Sequence, residues 1–472
     1  MQDCVKFYID GRWVDPVETR TMDRVNPATE ETTGQVALGS AADVDRAVRA
    51  AKVAFETYQY SSRKDRIALF DRIIDSFENR RADIGRAISA DLGTPAWFAN
   101  GYQTQMALDH FIEARRLLVD YPFEYRLGDS LVRREAFGVC GLITAWNWPV
   151  MLVTAKVAPA LAAGCTVILK PSEFSPQSAR VLTEILDAAG ISPGVFNLVL
   201  GDGPGVGAAI SSHPDIDLVS FTGSKRAGVA ITQAAAETVK MVHLELGGKS
   251  ANIILPDTDL ATAVADGVRR AFINSGQSCI APTRMLVHED QLVDAERVAG
   301  ETASAIVVGR DENVPGTLGP VANAAQFERV QGFIQSGIDA GAKLVAGGPG
   351  HPEGVDSGYY IKPTVFSRVM SDMAIAREEI FGPVLSILAY SDDADAVRIA
   401  NDTTYGLAGY VSSADRNRAV CVANQMKAGR VFINGAPQTP LAPFGGYKQS
   451  GNGREWGIFG LEAFLEVKAI ID

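Results

Sequence analysis

Cysteine and histidine are both scarce in this chain, which has five of each among its 472 residues. No two cysteines form a Cys-x-x-Cys pair, so neither a disulfide framework nor a structural zinc site is predicted. His243 and Glu245 share one face of a predicted strand, but no third ligand lies near them and we expect no metal site. This use of cysteine favours a reducing compartment, and we predict a cytoplasmic protein.

Positive charge is also in short supply, because 44 lysines and arginines stand against 56 aspartates and glutamates, a net charge of −12. A general nucleic-acid-binding protein is therefore not expected, since binding to phosphates requires clustered cations. The chain lacks tandem repeats and low-complexity tracts. With 47% hydrophobic residues, the composition is that of a globular chain of two or three domains.

A secretory signal is not expected, because the first residues have neither a basic start nor an apolar stretch. The run Ala136–Ala155 carries no charge and is long enough to cross a membrane. However, Gly138, Gly141, Asn147 and Pro149 interrupt it. A buried strand followed by a turn fits this pattern better, and no membrane partner is predicted.

Strand-like and helix-like segments alternate along most of the chain, which predicts an α/β fold with parallel, doubly wound sheets. Ligands of such sheets bind at the carboxyl ends of the strands. A second alternating block extends over residues 252–434. The predicted strands of the first block are Cys165–Lys170, Val195–Leu200, Leu218–Thr222 and Val239–Leu246, and its predicted helices are Ala41–Phe55, Arg63–Ala90, Pro176–Ala189 and Ser224–Glu237. Two further strand-like segments, Tyr121–Phe137 and Gly460–Asp472, lie outside both blocks and suggest a small third unit that pairs with another subunit.

Two glycine-containing loops are candidates for binding a phosphate. Residues 201–207 (GDGPGVG) follow a predicted strand, but a tight turn explains them equally well. Residues 221–224 (FTGS) place Ser224 at a helix start, where it either binds phosphate or simply caps the helix. Lys170 and Glu173 end another strand, where they are either a surface ion pair or a grip on ribose hydroxyls. In the second case, the carboxylate would repel a 2′-phosphate and favour NAD over NADP.

Four polar side chains are candidates for chemistry. Cys279 lies in a polar, glycine-containing loop, where a thiol is reachable, and no histidine is near it in sequence. Glu245 ends an apolar strand and is either a general base or a charge satisfied by Lys249. Asn147 is either a hydrogen-bond donor to an oxyanion or a partner for the backbone of its own turn. Glu379 likewise stands just before a predicted turn.

The motifs together are far more specific than any one of them. FTGS at 221–224, LELGGK at 244–249, GQSC at 276–279 and EEIFGP at 378–383 resemble the aldehyde dehydrogenase superfamily in order and spacing. ITAWNWP at 143–149, KPSE at 170–173 and PFGGYKQSG at 443–451 fit it too, so the resemblance covers essentially the whole chain. It implies two doubly wound parallel-sheet domains and a small β oligomerisation arm. Residues 1–120 and 138–247 would bind the dinucleotide, 248–445 would be the catalytic domain, and 121–137 with 446–472 would form the bridging arm.

The resemblance also implies roles for individual residues in an NAD-dependent oxidation of an aldehyde to an acid. Cys279 would be the nucleophile, Asn147 and the Cys279 N–H would hold the oxyanion, and Glu245 would activate water. FTGS, not the 201–207 cluster as a whole, would lie by the pyrophosphate. NAD is the expected cofactor, with NADP as the alternative. The expected cofactor-binding residues are Trp146, Lys170, Ser172, Glu173, Gly203, Phe221, Thr222, Gly223, Ser224, Leu246, Gly247, Glu379 and Phe381. Gln326 matches a position that makes a weaker contact with the cofactor ribose. Arg329 stands where many members have lysine, which leaves its own contact with the ribose open.

The substrate tunnel is expected to involve Trp148, Met151, Leu152, Ala155, Ser278, Ile280 and Phe444. A small residue at Ala155 would leave room for a bulky or aromatic aldehyde. A CoA-acylating enzyme is an alternative, but such members commonly lack the carboxylate at the Glu245 position. A silent binding or structural protein is another, although Cys279, Glu245 and Asn147 are all present. The resemblance further implies a homodimer or homotetramer.

Overall fold

The structure, a computed structural model, describes residues 3–309 and 314–471. Its strands form two large sheets and two small ones. The strands are β1 Phe7–Ile9, β2 Arg12–Val14, β3 Thr21–Val25, β4 Thr32–Ala37, β5 Glu124–Leu127, β6 Ser130–Ala136, β7 Val139–Ile143, β8 Thr166–Lys170, β9 Phe196–Leu198, β10 Leu218–Thr222, β11 Met241–Glu245, β12 Ala251–Ile254, β13 Arg284–His288, β14 Lys343–Ala346, β15 Thr364–Ser367, β16 Val384–Tyr390, β17 Ala408–Ser412, β18 Arg430–Ile433, β19 Gly451–Asn452 and β20 Leu465–Ile470.

Helices connect the strands of both large sheets. They are α1 Ala41–Tyr58, α2 Arg63–Asn79, α3 Arg81–Leu92, α4 Ala96–Phe98, α5 Thr104–Asp120, α6 Pro149–Ala163, α7 Pro176–Ala188, α8 Ala208–Ser212, α9 Lys225–Ala235, α10 Leu260–Phe272, α11 Leu292–Ser304, α12 Ala324–Asp339, α13 Ala374–Arg377, α14 Asp393–Asn401, α15 Arg416–Gln425 and α16 Gly457–Glu462. Short π or 3₁₀ turns cover Ala99–Gln103, Gly203–Gly207, Ala236–Thr238, Ile273–Gly276, Glu289–Gln291 and Lys448–Ser450.

The first large sheet has the strand order β19-β11-β10-β7-β8-β9-β1-β2. Strands β7 to β11 are parallel, and the chain runs outward from β7 in both directions. The strand order therefore reverses between β7 and β10, which is where such sheets bind ligands. The uncharged run Ala136–Ala155 forms β7, a turn and the buried start of α6, as predicted. Among the described residues, no helix combines the length and apolar character needed to cross a bilayer.

The second large sheet has the order β14-β15-β16-β13-β12-β17-β18 and is parallel except for β14. The third sheet has the order β20-β6-β5, so the two strand-like segments outside the α/β blocks pair with each other. Of the described residues 446–471, only Leu465–Ile470 belong to this small sheet. Gly451–Asn452 instead pairs with β11 of the first sheet.

One predicted helix, Arg63–Ala90, is wrong as a single element. It is divided into α2 and α3 at Arg80, whose backbone angles are φ −112° and ψ 14°. The Arg80 guanidinium donates to Asp83 and Glu184 at 2.8 and 2.9 Å, which fixes the bend against α7. Hydrophobic spacing gave no sign of the break, because both helices bury one face in the same core.

Candidate active site

The parallel strands of the first sheet end on one edge, and most of the predicted site residues follow those ends. Asn147 follows β7, Glu173 follows β8, Ser224 follows β10 and Gly247 follows β11. Carboxyl ends of adjacent parallel strands meet at the same edge. Residues far apart in sequence are thus placed around one crevice.

Glu245 ends β11 and is only 4% exposed. Neither of its carboxylate oxygens has a hydrogen-bond partner among the described residues. Burial and the nearby Glu455 raise the pKa of Glu245 well above its ordinary value, against the opposing effect of Lys156. The Lys249 ammonium also has no hydrogen-bond partner among the described groups, so the alternative in which Lys249 satisfies Glu245 is wrong. An unpartnered buried carboxylate of raised pKa is suited to accept a proton.

Lys156 and Glu455 form a buried pair beside Glu245. The Lys156 ammonium contacts the Glu455 carboxylate and donates to the Ser220 hydroxyl at 2.9 Å. Lys156 lies in α6 and is fully buried. Of the charges that act on the pKa of Glu245, these two have the largest effects, ahead of Arg454 and Arg430. Neither of the two was predicted from the sequence.

Cys279 follows a strained turn. Asn274, Ser275 and Gly276 have positive φ angles of 55°, 56° and 73°, a conformation that is costly for the first two residues. The Ser275 hydroxyl donates to the Gly319 carbonyl at 2.7 Å, which holds the turn in place. Burial, followed by the Glu379 and Glu245 carboxylates, raises the pKa of the Cys279 thiol. The thiol therefore needs a proton acceptor before it can act as a nucleophile.

Asn147 lies against the nucleophile loop. Its side-chain nitrogen donates to the Gln277 carbonyl at 3.0 Å, and its own carbonyl accepts a hydrogen bond from the Asn274 amide at 2.8 Å. A primary amide has two N–H donors, so one remains for another acceptor. The neighbouring Trp148 indole donates to the Ser278 hydroxyl at 3.1 Å, which gives the loop a second anchor beside Cys279.

Glu379 reaches the first sheet from the loop before β16. Its carboxylate accepts a hydrogen bond from the Gly248 N–H at 3.1 Å, and burial raises its pKa to about 7. A Cβ on Gly247 would lie 2.0 Å from the same carboxylate, so glycine is needed there. Phe381 has a positive φ of 61°, and its ring packs edge-on against Trp146 with 5.4 Å between centroids.

Gln326 and Arg329 hold this loop from α12. The Gln326 side chain donates to the carbonyls of Ile380 and Phe381 at 3.1 and 2.8 Å. Arg329 donates to the Glu379 carbonyl at 2.7 Å. In this structure Arg329 therefore bonds to the backbone of Glu379, and whether it also contacts a ribose stays open.

The remaining cofactor candidates also lie at the strand ends. The Lys170 ammonium donates to Glu173 at 3.3 Å and to the Pro171 carbonyl at 3.0 Å. The Ser224 hydroxyl accepts from the Ala227 N–H at 3.3 Å, so it caps α9 whether or not a phosphate binds there. The Thr222 hydroxyl is buried without a partner among the described residues, and a Cβ on Gly203 would meet open space. The unpaired hydroxyl of Thr222 and the open space at Gly203 are both compatible with a bound dinucleotide.

An apolar cavity of about 440 Å³ leads to Cys279 and Glu245. Six of the seven predicted tunnel residues line it: Trp148, Met151, Leu152, Ser278, Ile280 and Phe444. Ala155 does not border the cavity and is buried in the core at 1% exposure, so the argument from its small size is wrong. Further lining residues that were not predicted from the sequence are Tyr102, Met106, Asp266, Arg269, Arg270, Ile273, Ala281, Tyr410, Phe432, Gly435, Pro437, Gln438, Glu455 and Trp456.

Metal chemistry finds no support in the described residues 3–309 and 314–471, where no three His, Cys, Asp or Glu side chains form a potential metal-binding group. The five cysteines are free thiols, and Cys279 is neither fully buried nor fully exposed. The fold and this site together define a two-sheet α/β protein with a thiol and an unpaired carboxylate in one apolar cavity.

Residues 13–470 match the aldehyde dehydrogenase family, and the chain belongs to that family. It is 53% identical to a 3-succinoylsemialdehyde-pyridine dehydrogenase from a Pseudomonas species, over 100% of this chain and 99% of the relative. It is also 53% identical to aldehyde dehydrogenase C from Pseudomonas syringae, whose cysteine-to-alanine mutant was solved with NAD⁺ and octanal. That match has a TM-score of 0.97 and covers 99% of this chain and 96% of the other. The aldehyde dehydrogenase of Mycobacterium tuberculosis, solved with NAD⁺, matches at 38% identity and TM-score 0.97, over 100% and 98% of the two chains.

Proposed function

We propose that this protein oxidises an apolar aldehyde to its carboxylic acid with NAD, through a covalent intermediate on Cys279. The observation that carries the proposal is that Cys279 and the unpartnered carboxylate of Glu245 line one cavity. Mixing the protein with NAD and a panel of propanal, octanal and benzaldehyde, while following NADH absorbance, tests it. Turnover to the free acid supports the proposal, and silence across the panel contradicts it.

The Cys279 thiol, which is partly exposed, would first lose its proton to water in the cavity. Its sulfur would then add to the aldehyde carbon while the carbonyl electron pair moves to oxygen. The free N–H of Asn147 and the backbone N–H of Cys279 would stabilise that oxyanion. NAD held at the strand ends would supply the acceptor for the hydride that the tetrahedral adduct loses, and a thioester would then remain on Cys279. Glu245 would then take a proton from water, whose oxygen attacks the thioester and releases the acid and the thiol.

The surroundings of Glu245 predict a pH effect. Replacing Glu455 by glutamine removes the negative charge that helps to raise the pKa of Glu245, while Lys156 keeps its opposing influence. The pKa of Glu245 then falls, so Glu245 stays ionised to lower pH. We expect the acidic limb of the kcat profile to move down by about one pH unit.

The matched control is Glu462→Gln, also on the C-terminal part of the chain, where Glu462 accepts from Tyr121 at 3.1 Å. The acidic limb of the kcat profile of this variant should lie at the same pH as in the wild type. An unmoved or upward-shifted limb in Glu455→Gln would show that Glu455 does not act on the general base.

NAD is the cofactor that the strand-end residues favour. Lys170 and Glu173 would hold the adenosine ribose, with Ser172 and Gly203 beside them. Phe221, Thr222, Gly223 and Ser224 would lie by the pyrophosphate, where the first N–H groups of α9, apart from that of Ala227, have no acceptor within the helix. Glu379, Phe381, Trp146, Leu246 and Gly247 would surround the nicotinamide end.

Glu173 is predicted to select against NADP. In Glu173→Gln, loss of the carboxylate removes repulsion of a 2′-phosphate, so the KM for NADP should fall about tenfold. The KM for NAD should rise, because the charged acceptor for the ribose hydroxyls is lost. Steady-state kinetics with both cofactors measure this, and Glu184→Gln on α7 is the control. An unchanged NADP-to-NAD ratio would place the 2′ position away from Glu173.

A bulky or long-chain aldehyde suits the cavity best. Its walls carry the rings of Trp148, Phe444 and Trp456, and apolar surface favours apolar substrates. Octanal in the Pseudomonas syringae enzyme supports the same class. The CoA-acylating alternative is disfavoured because Glu245 is present to activate water. A catalytically inactive binding or structural protein is disfavoured because Cys279 and Glu245 line the same cavity and Asn147 bonds to the loop that carries Cys279.

We also propose a cytoplasmic homodimer or homotetramer in which the β20-β6-β5 sheet forms the bridging arm. Strands β5 and β20 are its edges, and Leu127 and Val467 on them are 69% and 60% exposed. An unpaired edge with exposed apolar side chains is suited to pairing with another copy.

A further inference from the structure

Arg430 is a buried arginine at the start of β18, only 9% exposed. Its guanidinium donates to the Gln438 side-chain oxygen at 3.3 Å, the Thr439 carbonyl at 3.1 Å and the Ala442 carbonyl at 2.9 Å. All three acceptors are uncharged. The buried charge is therefore balanced in direct contact by oriented dipoles, while the Glu245 carboxylate acts on it as a nearby charge without a hydrogen bond. The role of Arg430 thus differs from that of an ordinary ion-pair partner.

The same guanidinium lies against three aromatic rings. Its central carbon is 4.5 Å from the Trp456 ring centroid, 5.3 Å from that of Phe444 and 5.9 Å from that of Phe432. Phe444 and Trp456 stack on each other with 4.7 Å between centroids. All three rings line the substrate cavity. Cation–π contacts of this kind are strengthened when water is excluded.

The three hydrogen-bond acceptors belong to the segment Gly435–Ala442, which we call the wall loop. Residues 436–439 have no regular secondary structure, yet Gly435, Pro437 and Gln438 line the cavity. Arg430 thus connects a loop without a helix or strand of its own to three rings that form the neighbouring surface. A planar guanidinium with five donors can bond to the acceptors of the wall loop at its edge while its face lies against the rings. A lysine ammonium cannot do both.

We propose that Arg430 is a positioning residue that sets which aldehydes the cavity accepts, by fixing the wall loop and the three rings as one surface. The inference rests on the proposed aldehyde oxidation. Short aldehydes would react at Cys279 without reaching this surface. Long or aromatic aldehydes would bind along it and depend on its shape.

The test compares octanal with propanal in Arg430→Lys, which keeps the charge but loses the planar fork. The KM for octanal should rise about tenfold with little change in kcat, while kcat/KM for propanal should stay within about twofold of wild type. Gln438→Ala, which removes one acceptor of Arg430 and shortens one side chain of the cavity wall, should raise the KM for octanal by a smaller factor. Arg454→Lys is the control, because Arg454 also faces Glu245 but bonds to Gly446 and Gly453 instead of the wall loop. Its octanal-to-propanal ratio should match that of the wild type.

If kcat/KM fell by the same factor for octanal and propanal, or changed for neither, the inference would be overturned. If Arg430→Lys does not fold, the ratio in Gln438→Ala decides in the same way. If the wild type oxidises neither aldehyde, the proposed function fails, and octanal binding followed by tryptophan fluorescence then tests Arg430 separately. Weaker octanal binding in the variant would support the inference, and equal binding would overturn it.

Discussion

Replacing Cys279 by serine is expected to lower kcat/KM for aldehyde oxidation by about four orders of magnitude. A serine hydroxyl is a far weaker nucleophile than a thiolate, and burial already raises the pKa of the group at this position. The strained turn at Asn274 and Ser275 does not involve the sulfur, so the loop should keep its shape. NADH absorbance measures the loss, and NAD binding should stay near its wild-type strength.

The matched control is Cys421→Ser, because Cys421 is exposed on α15 and lies outside the cavity. Its rate should equal that of the wild type. Appreciable oxidation by Cys279→Ser would mean that the sulfur does not carry the reaction.

Glu245→Gln is expected to separate the two halves of the reaction. Glutamine keeps the shape of the side chain but cannot accept a proton from water, so the thioester should accumulate. Steady-state turnover should fall by about three orders of magnitude, while the first turnover still releases a burst of NADH. Stopped-flow absorbance after mixing with octanal and NAD measures both phases.

Glu237→Gln is the control, because Glu237 is exposed in the short turn before β11 and should leave both phases unchanged. If the burst in Glu245→Gln slowed as much as the steady state, Glu245 would act before the hydride leaves. Hydrolysis would then have to depend on another group.

The strand ends of the first sheet could be predicted from sequence because their signals are local. A buried apolar strand followed by a glycine or a turn marks β8, β10 and β11, and parallel strands must bring those turns to one edge. Ligand-binding residues were accordingly expected at these strand ends, where Lys170, Thr222 and Glu245 lie. The family motifs then assigned roles to them that periodicity alone left open.

The contacts around Glu245 could not be predicted in the same way. Lys156 and Glu455 are 299 positions apart, and neither lies in a recognisable pattern with the other. In the sequence, Lys156 is a single charged residue within an apolar helix. Its partner Glu455 becomes evident only from the packing of that helix against the C-terminal segment. Arg430 is similar, since its three rings come from β18 and two later segments.

Ala155 shows the limit of carrying a tunnel position over from a family resemblance. Met151 and Leu152 of α6 do line the cavity, and the resemblance placed Ala155 in the same tunnel. The methyl group of Ala155 is instead enclosed by the core, while Trp456 and Phe432 supply the neighbouring wall. The width of the tunnel is therefore set by residues from other segments.

The most direct test of the covalent mechanism is mass spectrometry of the Glu245→Gln variant, quenched after reaction with octanal and NAD and then digested. The proposal predicts an octanoyl group on the peptide that contains Cys279, in an amount equal to the NADH burst. NADH formation without acylation of Cys279, or acylation of another residue, would contradict it.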